Sequence, residues 1–249
     1  MIQLKSQREI AAMREVCALT DRARRLAGEM VSPGVRTAEI DREVQRLIEL
    51  DGATPAFLGY RGFPGSVCIS INEQVIHGIP GGREIAAGDI VSVDVGVLQG
   101  GFYGDCAATF PAGEVMPDAA KLIEVTRQSF YEGLVFCREG YRISDVSHAI
   151  QTYAERHGFS VVRDFVGHGI GKELHESPEV PNFGQPGRGP RLKAGMTLAI
   201  EPMINQGGSE VLILDDGWTV VTADSSLSAH YENTVLITDG EPEILTVSR

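Results

Sequence analysis

The stretch VSVDVGVLQGGFYGDCAATF, Val91–Phe110, decides the reading of this chain. Its first part, VSVDV, is rich in β-branched residues and predicts a strand. Leu98-Gln99-Gly100-Gly101 reads as a tight turn, and FYGDCAATF returns as the partner strand. With Gln99-Gly100 as a two-residue turn, Asp94 and Asp105 stand directly opposite each other on one face. Like charges so placed destabilise a hairpin. The stretch contains no Lys or Arg, so the arrangement points to a divalent cation between the two carboxylates. A lone alternating aspartate ordinarily faces water, so the pair gains its meaning from the rest of the chain.

The chain has 249 residues, 43% of them hydrophobic, a net charge of −12 and a pI near 5.0. That is enough for one large core or two fused half-domains. The acidic balance argues against direct DNA or RNA binding. Cys17, Cys68, Cys106 and Cys137 form no C-x-x-C pair, and their spacing suggests neither a disulfide framework nor a zinc cluster. The opening MIQLKSQREIAAMREV has no apolar signal region, and no apolar run approaches the ~20 residues of a membrane span. The expectation is a cytoplasmic protein with reduced thiols.

The chain also resembles itself. Gly34, Arg36, Gln45, Glu49 and Gly52 meet Gly140, Arg142, Gln151, Glu155 and Gly158, all identical at an offset of 106 residues. Ile40 and Val44 meet Val146 and Ile150, which keeps the apolar face of a helix. Thr37 and Ser144 are the expected N-caps, one place out of step. A second correspondence pairs AAGDIVSVD, ending at Asp94, with LKAGMTLAIE, ending at Glu201, at an offset of 107 residues. Two related αβ halves about a pseudo-twofold axis would bring Asp94 and Glu201 to one central site. The period is too long for a solenoid.

His77 lies in VIHGIPGG, and His168 and His175 lie in FVGHGIGKELHESPEVP. These glycine- and proline-punctuated contexts place them on loops or strand ends. Their spacing is not that of a helical H-E-x-x-H pair, which excludes a zincin. In SAHYENTVLI, alternation puts His230, Glu232 and Thr234 on one strand face. Asp94, Asp105, His168, Glu201 and Glu232 taken as one cluster offer four carboxylates and one imidazole. Two divalent cations would cancel that charge; without metal the carboxylate pKa values would rise. An oxygen-rich set with one nitrogen suits Mn, Fe or Co, with Zn also admissible. Two metals ~3.5–4 Å apart can activate water and polarise a carbonyl, which is machinery for hydrolysis.

The ordered set DVG, D, GHGIG, H, EP, HYENT resembles methionine aminopeptidase of type I, an M24-like metallopeptidase family. The resemblance runs over essentially the whole chain. Its most specific segments are SVCISINEQVIHGIP, FVGHGIGKELHESPEVPNFG and MTLAIEPMIN. It implies an α+β pita-bread fold of the creatinase/aminopeptidase kind, with two pseudo-symmetric αβ halves around a curved antiparallel sheet. A single catalytic domain over residues 1–249 is expected, its repeat running roughly over 10–110 and 115–237. By resemblance, Asp94 is bidentate on one metal, Asp105 and Glu232 bridge both, and His168 and Glu201 complete the other. Glu201 is also the general base, and His77 and His175 contact substrate and stabilise the tetrahedral intermediate. Tyr60, Phe63, Cys68 and Trp218 match the methionine pocket, with Phe57 and Leu174 near its rim. Asn72 and Ser228 match positions that hold a monovalent cation in some members. No zinc-finger or proline-rich extension and no type II insertion is seen.

The implied activity is removal of the initiator methionine from nascent chains whose second residue is small, with two divalent ions (Co, Mn, Fe or Zn) as cofactors. Nascent N-termini are the implied partner and the ribosome a candidate one. DNA and membranes are not partners, and the expected state is a monomer. An X-Pro aminopeptidase or prolidase shares the ligand set, but those proteins usually carry an added amino-terminal domain and lack the HGIP context. A non-catalytic binding protein of the same fold would be expected to have lost ligands.

Overall fold

The computed structural model describes residues 2–247. Each half of the chain opens with a helix pair. α1 is Gln7–Met30 and α2 is Thr37–Leu50; α3 is Pro117–Leu134 and α4 is Ile143–Arg156. A capping box starts α1: Ser6 Oγ accepts the Glu9 N–H, and the Glu9 carboxylate accepts the Ser6 N–H. Proline in the first turn starts α3. Ile40, Val44 and Ile48 in α2, and Val146, Ile150 and Ala154 in α4, recur at helical spacing and are buried.

The repeat extends to individual hydrogen bonds. Gln45 donates to Glu49 at 2.7 Å, and Gln151 to Glu155 at 2.8 Å. Gly34 and Gly140, before the two helices, take φ of +90° and +96°. Arg36 and Arg142 are the N-caps, in step with each other. Thr37 and Ser144 are therefore not caps as expected. The free N–H groups of each helix start are already met by a neighbouring loop. Thr37 and Ala38 donate to the carbonyls of Arg83 and Gly81, and Ile143 and Ser144 to those of Pro190 and Arg188. The two hydroxyls pin that loop: Thr37 Oγ1 exchanges bonds with Gly81, and Ser144 Oγ with Arg188.

The first half carries β1 (Thr54–Pro55), β2 (Cys68–Ile71), β3 (Gln74–Ile76), β4 (Ile90–Gln99) and β5 (Phe102–Pro111). The second carries β6 (Ser160–Val161), β7 (Gly167–Gly169), β8 (Glu176–Val180), β9 (Thr197–Ile200) and β10 (Met203–Asn205). It continues with β11 (Val211–Ile213), β12 (Val220–Thr222), β13 (Ser228–His230), β14 (Asn233–Leu236) and β15 (Glu243–Ile244). The pairings between these strands are antiparallel. One sheet joins β1, β4, β2 and β5, and another runs β15-β14-β9-β7-β8. They meet where Glu232 N–H donates to Ala107 O (2.9 Å) and Ala107 N–H to Glu232 O (3.2 Å). One apolar core packs α1 and α2 on the first sheet, and a second packs α3 and α4 on the other.

Two details differ from the sequence reading. The β4–β5 turn is Gly100-Gly101, with Gln99 paired to Phe102. Both turn residues have positive φ, +60° and +81°, which two glycines adopt without strain and Gln99 would not. The register moves by two, so Asp94 faces Ala107 and Asp105 faces Gly96. A two-residue shift preserves the face, and the aspartates remain diagonal neighbours. The segment around Glu232 is also not one strand. β13 ends at His230 and β14 begins at Asn233, because the first pairs with β10 and the second with β9.

Candidate metal centre and peptide pocket

A cavity of about 160 Å³ lies where the two halves meet. The strands deliver its floor. Asp94 comes from β4, Asp105 from β5 and His168 from β7. Glu201 directly follows β9, and Glu232 sits in the break before β14. All five line the cavity. Ligand atoms of Asp105, His168 and Glu232 lie within 4.8 Å of one another. Glu201 Oε1 is 3.6 Å from His168 Nε2, and Asp105 Oδ2 is 4.0 Å from it. The other ring nitrogen, His168 Nδ1, is 2.8 Å from the Gly169 carbonyl oxygen. That bond makes Nδ1 the donor and leaves Nε2 free as a lone-pair ligand.

The electrostatics of the floor are unbalanced. Burial pushes Asp94 up to about 7. Burial, then Glu232 and Asp94, holds Asp105 well above its ordinary range. Glu201 is raised by burial, then Asp105 and Asp94, and Glu232 by burial, then Glu201 and Asp94. Among the described residues no Lys or Arg forms an ion pair with these carboxylates; the three contacts within 4 Å come from histidines. The neighbouring Arg24 pairs with Asp21 and donates to the main-chain oxygens of Ala107 and Glu232 instead. Asp94 Oδ1, Asp105 Oδ1 and Glu232 Oε1 are buried with no hydrogen-bond partner. Buried, unpartnered carboxylate oxygens facing one another are costly unless a cation joins them. The residues present fit a divalent-metal centre.

Above the floor the walls turn apolar. Tyr60, Phe63, Cys68 and Trp218 all line the cavity, with Phe57 and Leu174. Cys68 is placed there by register, since it pairs with Asp94 across β2 and β4. Phe63 and Trp218 meet edge to face with centroids 5.2 Å apart. His77 lies edge-on to Trp218 and to Phe165, and burial lowers its pKa to about 4. His175 stacks on Tyr60 and is held by its hydroxyl, 2.9 Å from Nδ1. Burial, then Arg61, lowers the His175 pKa. Both imidazoles are thus neutral near pH 7.

Two neighbours escaped the sequence reading as site residues. Arg61 lines the cavity, and nothing local in YRG signals it. His230 is buried, with Nε2 3.9 Å from Glu201 Oε2; its alternation with Glu232 was the available sign. Asn72 and Ser228 lie together outside the cavity, joined by Ser228 N–H donating to Asn72 O at 2.9 Å.

Comparison with known proteins agrees with this geometry. The model of metallopeptidase family M24 matches residues 11–239. A methionine aminopeptidase of Clostridium perfringens is 56% identical over 247 residues, 99% of each chain. The crystal structure of methionine aminopeptidase from Rickettsia prowazekii superposes with a TM-score of 0.98 at 40% identity, covering 99% of this chain and 100% of that one. A prolidase from Pyrococcus furiosus aligns with a TM-score of 0.81 at 23% identity over 66% of its own length. That last likeness concerns the fold alone.

Proposed function

The chain belongs to metallopeptidase family M24, and from that premise we propose that it is a metal-dependent methionyl aminopeptidase. It removes the initiator methionine from nascent proteins whose second residue is small. Its fold is the pita-bread arrangement, two pseudo-symmetric αβ halves around a curved antiparallel sheet. The observation that carries the reading is one cavity with a carboxylate-rich floor and an aromatic, thiol-bearing wall. The whole chain acts as one catalytic unit, because that floor takes residues from both halves.

In this reading Asp94, Asp105, His168, Glu201 and Glu232 hold two divalent ions, Co, Mn, Fe or Zn. All five side chains would serve as ligands, four through carboxylate oxygens and His168 through Nε2. The metal, when bound, supplies Lewis acidity and lowers the pKa of water to near neutrality. Glu201 is the general base, taking the proton from the attacking water. His175 donates a hydrogen bond to the oxygen that gains charge as the carbonyl becomes tetrahedral, and Tyr60 fixes its ring for that task. His77, neutral and braced by Phe165 and Trp218, donates to the peptide on the far side of the scissile bond. Tyr60, Phe63, Cys68 and Trp218 enclose the flexible, polarizable thioether, and their walls exclude water from the reacting carbonyl.

A monovalent cation beside Asn72 and Ser228 is supported by their adjacency. Their side chains are engaged with Asp89, Ile90 and Ile204, so main-chain carbonyls would be its ligands. The family resemblance implies a monomer that meets its substrates as they are presented at the ribosome. No helix among the described residues is long and apolar enough to cross a membrane, and nascent substrates place the activity in the cytoplasm.

The test is peptide hydrolysis followed by mass spectrometry. Metal-stripped protein, with Mn or Co added back, is offered Met-Ala-Ser, Met-Phe-Ser, Leu-Ala-Ser and Ala-Pro-Ser. Methionine released from Met-Ala-Ser alone, and only with metal, is the expected result. Cleavage of Ala-Pro-Ser instead would move the chain to the prolidase branch. Bound metal with no cleavage would favour a binding protein.

A further inference from the structure

Arg61 lines the cavity, yet no step described above uses it. Its guanidinium carbon lies 5.5 Å from the centroid of the Tyr60 ring, and Tyr60 in turn holds His175. The backbone fixes this placement. Gly59, Arg61 and Gly62 take φ of +78°, +50° and +93°, left-handed values that an arginine seldom adopts. The turn closes through Gly62 N–H to Gly59 O and Phe63 N–H to Tyr60 O. Non-glycine residues held in such conformations concentrate at functional sites. Among the described residues, the ion pairs of arginine involve other arginines, and none engages Arg61. The side chain is exposed to solvent at the cavity wall.

The cavity is therefore electrically polar. Its floor holds four carboxylates, and its exposed wall holds one unpaired guanidinium. An aminopeptidase substrate enters amino end first, toward a floor whose carboxylates two divalent ions would balance in the loaded enzyme, so the guanidinium is left as the unbalanced charge of the lining. Arg61 and His175 are the exposed residues of the lining, so the chain beyond the scissile bond would leave past them. We propose that Arg61 is a specificity-determining residue that favours substrates carrying an Asp or Glu side chain two or three residues beyond the scissile bond and disfavours Lys or Arg there. The inference rests on the aminopeptidase reading. A guanidinium presents a planar fork that suits a carboxylate, and among the described residues no carboxylate forms an ion pair with this one.

The experiment compares amidated pentapeptides, Met-Ala-Ser-Asp-Ser and Met-Ala-Ser-Lys-Ser, with a second pair charged at position three. The amide removes the terminal carboxylate that would otherwise confound the comparison. The quantity read is the Asp-to-Lys ratio of kcat/KM within each protein, so that any general change in rate cancels. The metal-loaded wild type should prefer Asp by about two- to fivefold, the range for an exposed ion pair. Arg61→Gln should bring the ratio near one, Arg61→Lys should keep part of it, and Arg61→Glu should invert it. High salt should flatten the wild-type preference. Equal ratios in wild type and Arg61→Gln at low salt, with Met-Ala-Ser still cleaved, would overturn the role of Arg61 alone. Failure of the wild type to release methionine from any of these peptides would overturn the aminopeptidase reading and this inference with it.

Discussion

Gly96 stands opposite Asp105 across the β4–β5 hairpin, and the absence of a side chain there is used by the pocket. A Cβ at position 96 would stand 2.5 Å from Cε1 of Phe57. The Phe57 ring lies on the bare glycine and forms part of the cavity wall. One position thus joins the hairpin that carries Asp94 and Asp105 to the aromatic wall of the cavity.

Gly96→Ala should displace that ring and reshape the pocket. KM for Met-Ala-Ser should rise severalfold with kcat changed less, and stability should fall by about 1–3 kcal/mol. Combining it with Phe57→Ala should make the two losses non-additive, because the clash partner is gone. Michaelis kinetics and urea unfolding of the four proteins check this; strict additivity would show that Phe57 does not rest on Gly96.

Removing metal should leave a distinctive pH signature. Asp94 goes from an ordinary 3.8 to about 7 in the folded, metal-free site, and Asp105, Glu201 and Glu232 move the same way. Between those values the folded state keeps protons that the unfolded chain has released. The carboxylates of the stripped protein should therefore lose their stabilising contribution as pH rises from about 4, through about 7 for Asp94; His77, lowered to about 4, works the other way below 6.5, so the net loss is read above that pH. A divalent ion replaces those protons, so the loaded protein should not show the loss, and loading should release protons. Urea midpoints near pH 6.5 and pH 8, with and without a chelator, measure this. A stripped protein more stable at the higher pH would contradict the carboxylate account.

Much of this was legible in the chain, for local reasons. Gln45 and Glu49, like Gln151 and Glu155, are four apart on a helix, so identical residues gave identical bonds. The common face of Asp94 and Asp105 survived a wrong register because strand alternation has a period of two. The turn was misplaced because a primed turn needs two positive φ values, which Gly100-Gly101 supplies and Gln99-Gly100 does not. The interruption at Tyr231 and Glu232 was invisible, since β13 and β14 share one unbroken alternation and part only because their partners differ. Arg61 reaches the cavity because its turn places it beside Tyr60 and, across the fold, His175, and a linear pattern carries no trace of that second neighbour.

Thr234 ties β14, which follows Glu232, to β5, which carries Asp105. Its Oγ1 donates to the Asp105 carbonyl at 2.9 Å and accepts the Asp105 N–H at 3.2 Å. Thr234→Val keeps the shape and leaves both main-chain groups buried without partners. Stability should drop by about 1–3 kcal/mol, and metal affinity should weaken because Asp105 loses its anchor. Calorimetric titration of the stripped variant with Mn tests the second half. Unaltered affinity beside reduced stability would limit Thr234 to a structural bond.

His175 and Tyr60 separate positioning from chemistry. His175→Ala should retain fold and metal content while kcat falls by about 10²–10³, the usual effect of losing one donor to a developing oxyanion. Tyr60→Phe removes only the hydroxyl that holds Nδ1 at 2.9 Å and keeps the ring that stacks on the imidazole. It should lower kcat by a smaller factor, about threefold to thirtyfold, in keeping with one lost hydrogen bond to the orienting side of the ring. In the His175→Ala background the same change should have little further effect on kcat, since no imidazole remains to orient. Metal analysis accompanies the kinetics: loss of bound metal in His175→Ala would make His175 a ligand and remove it from the donor role.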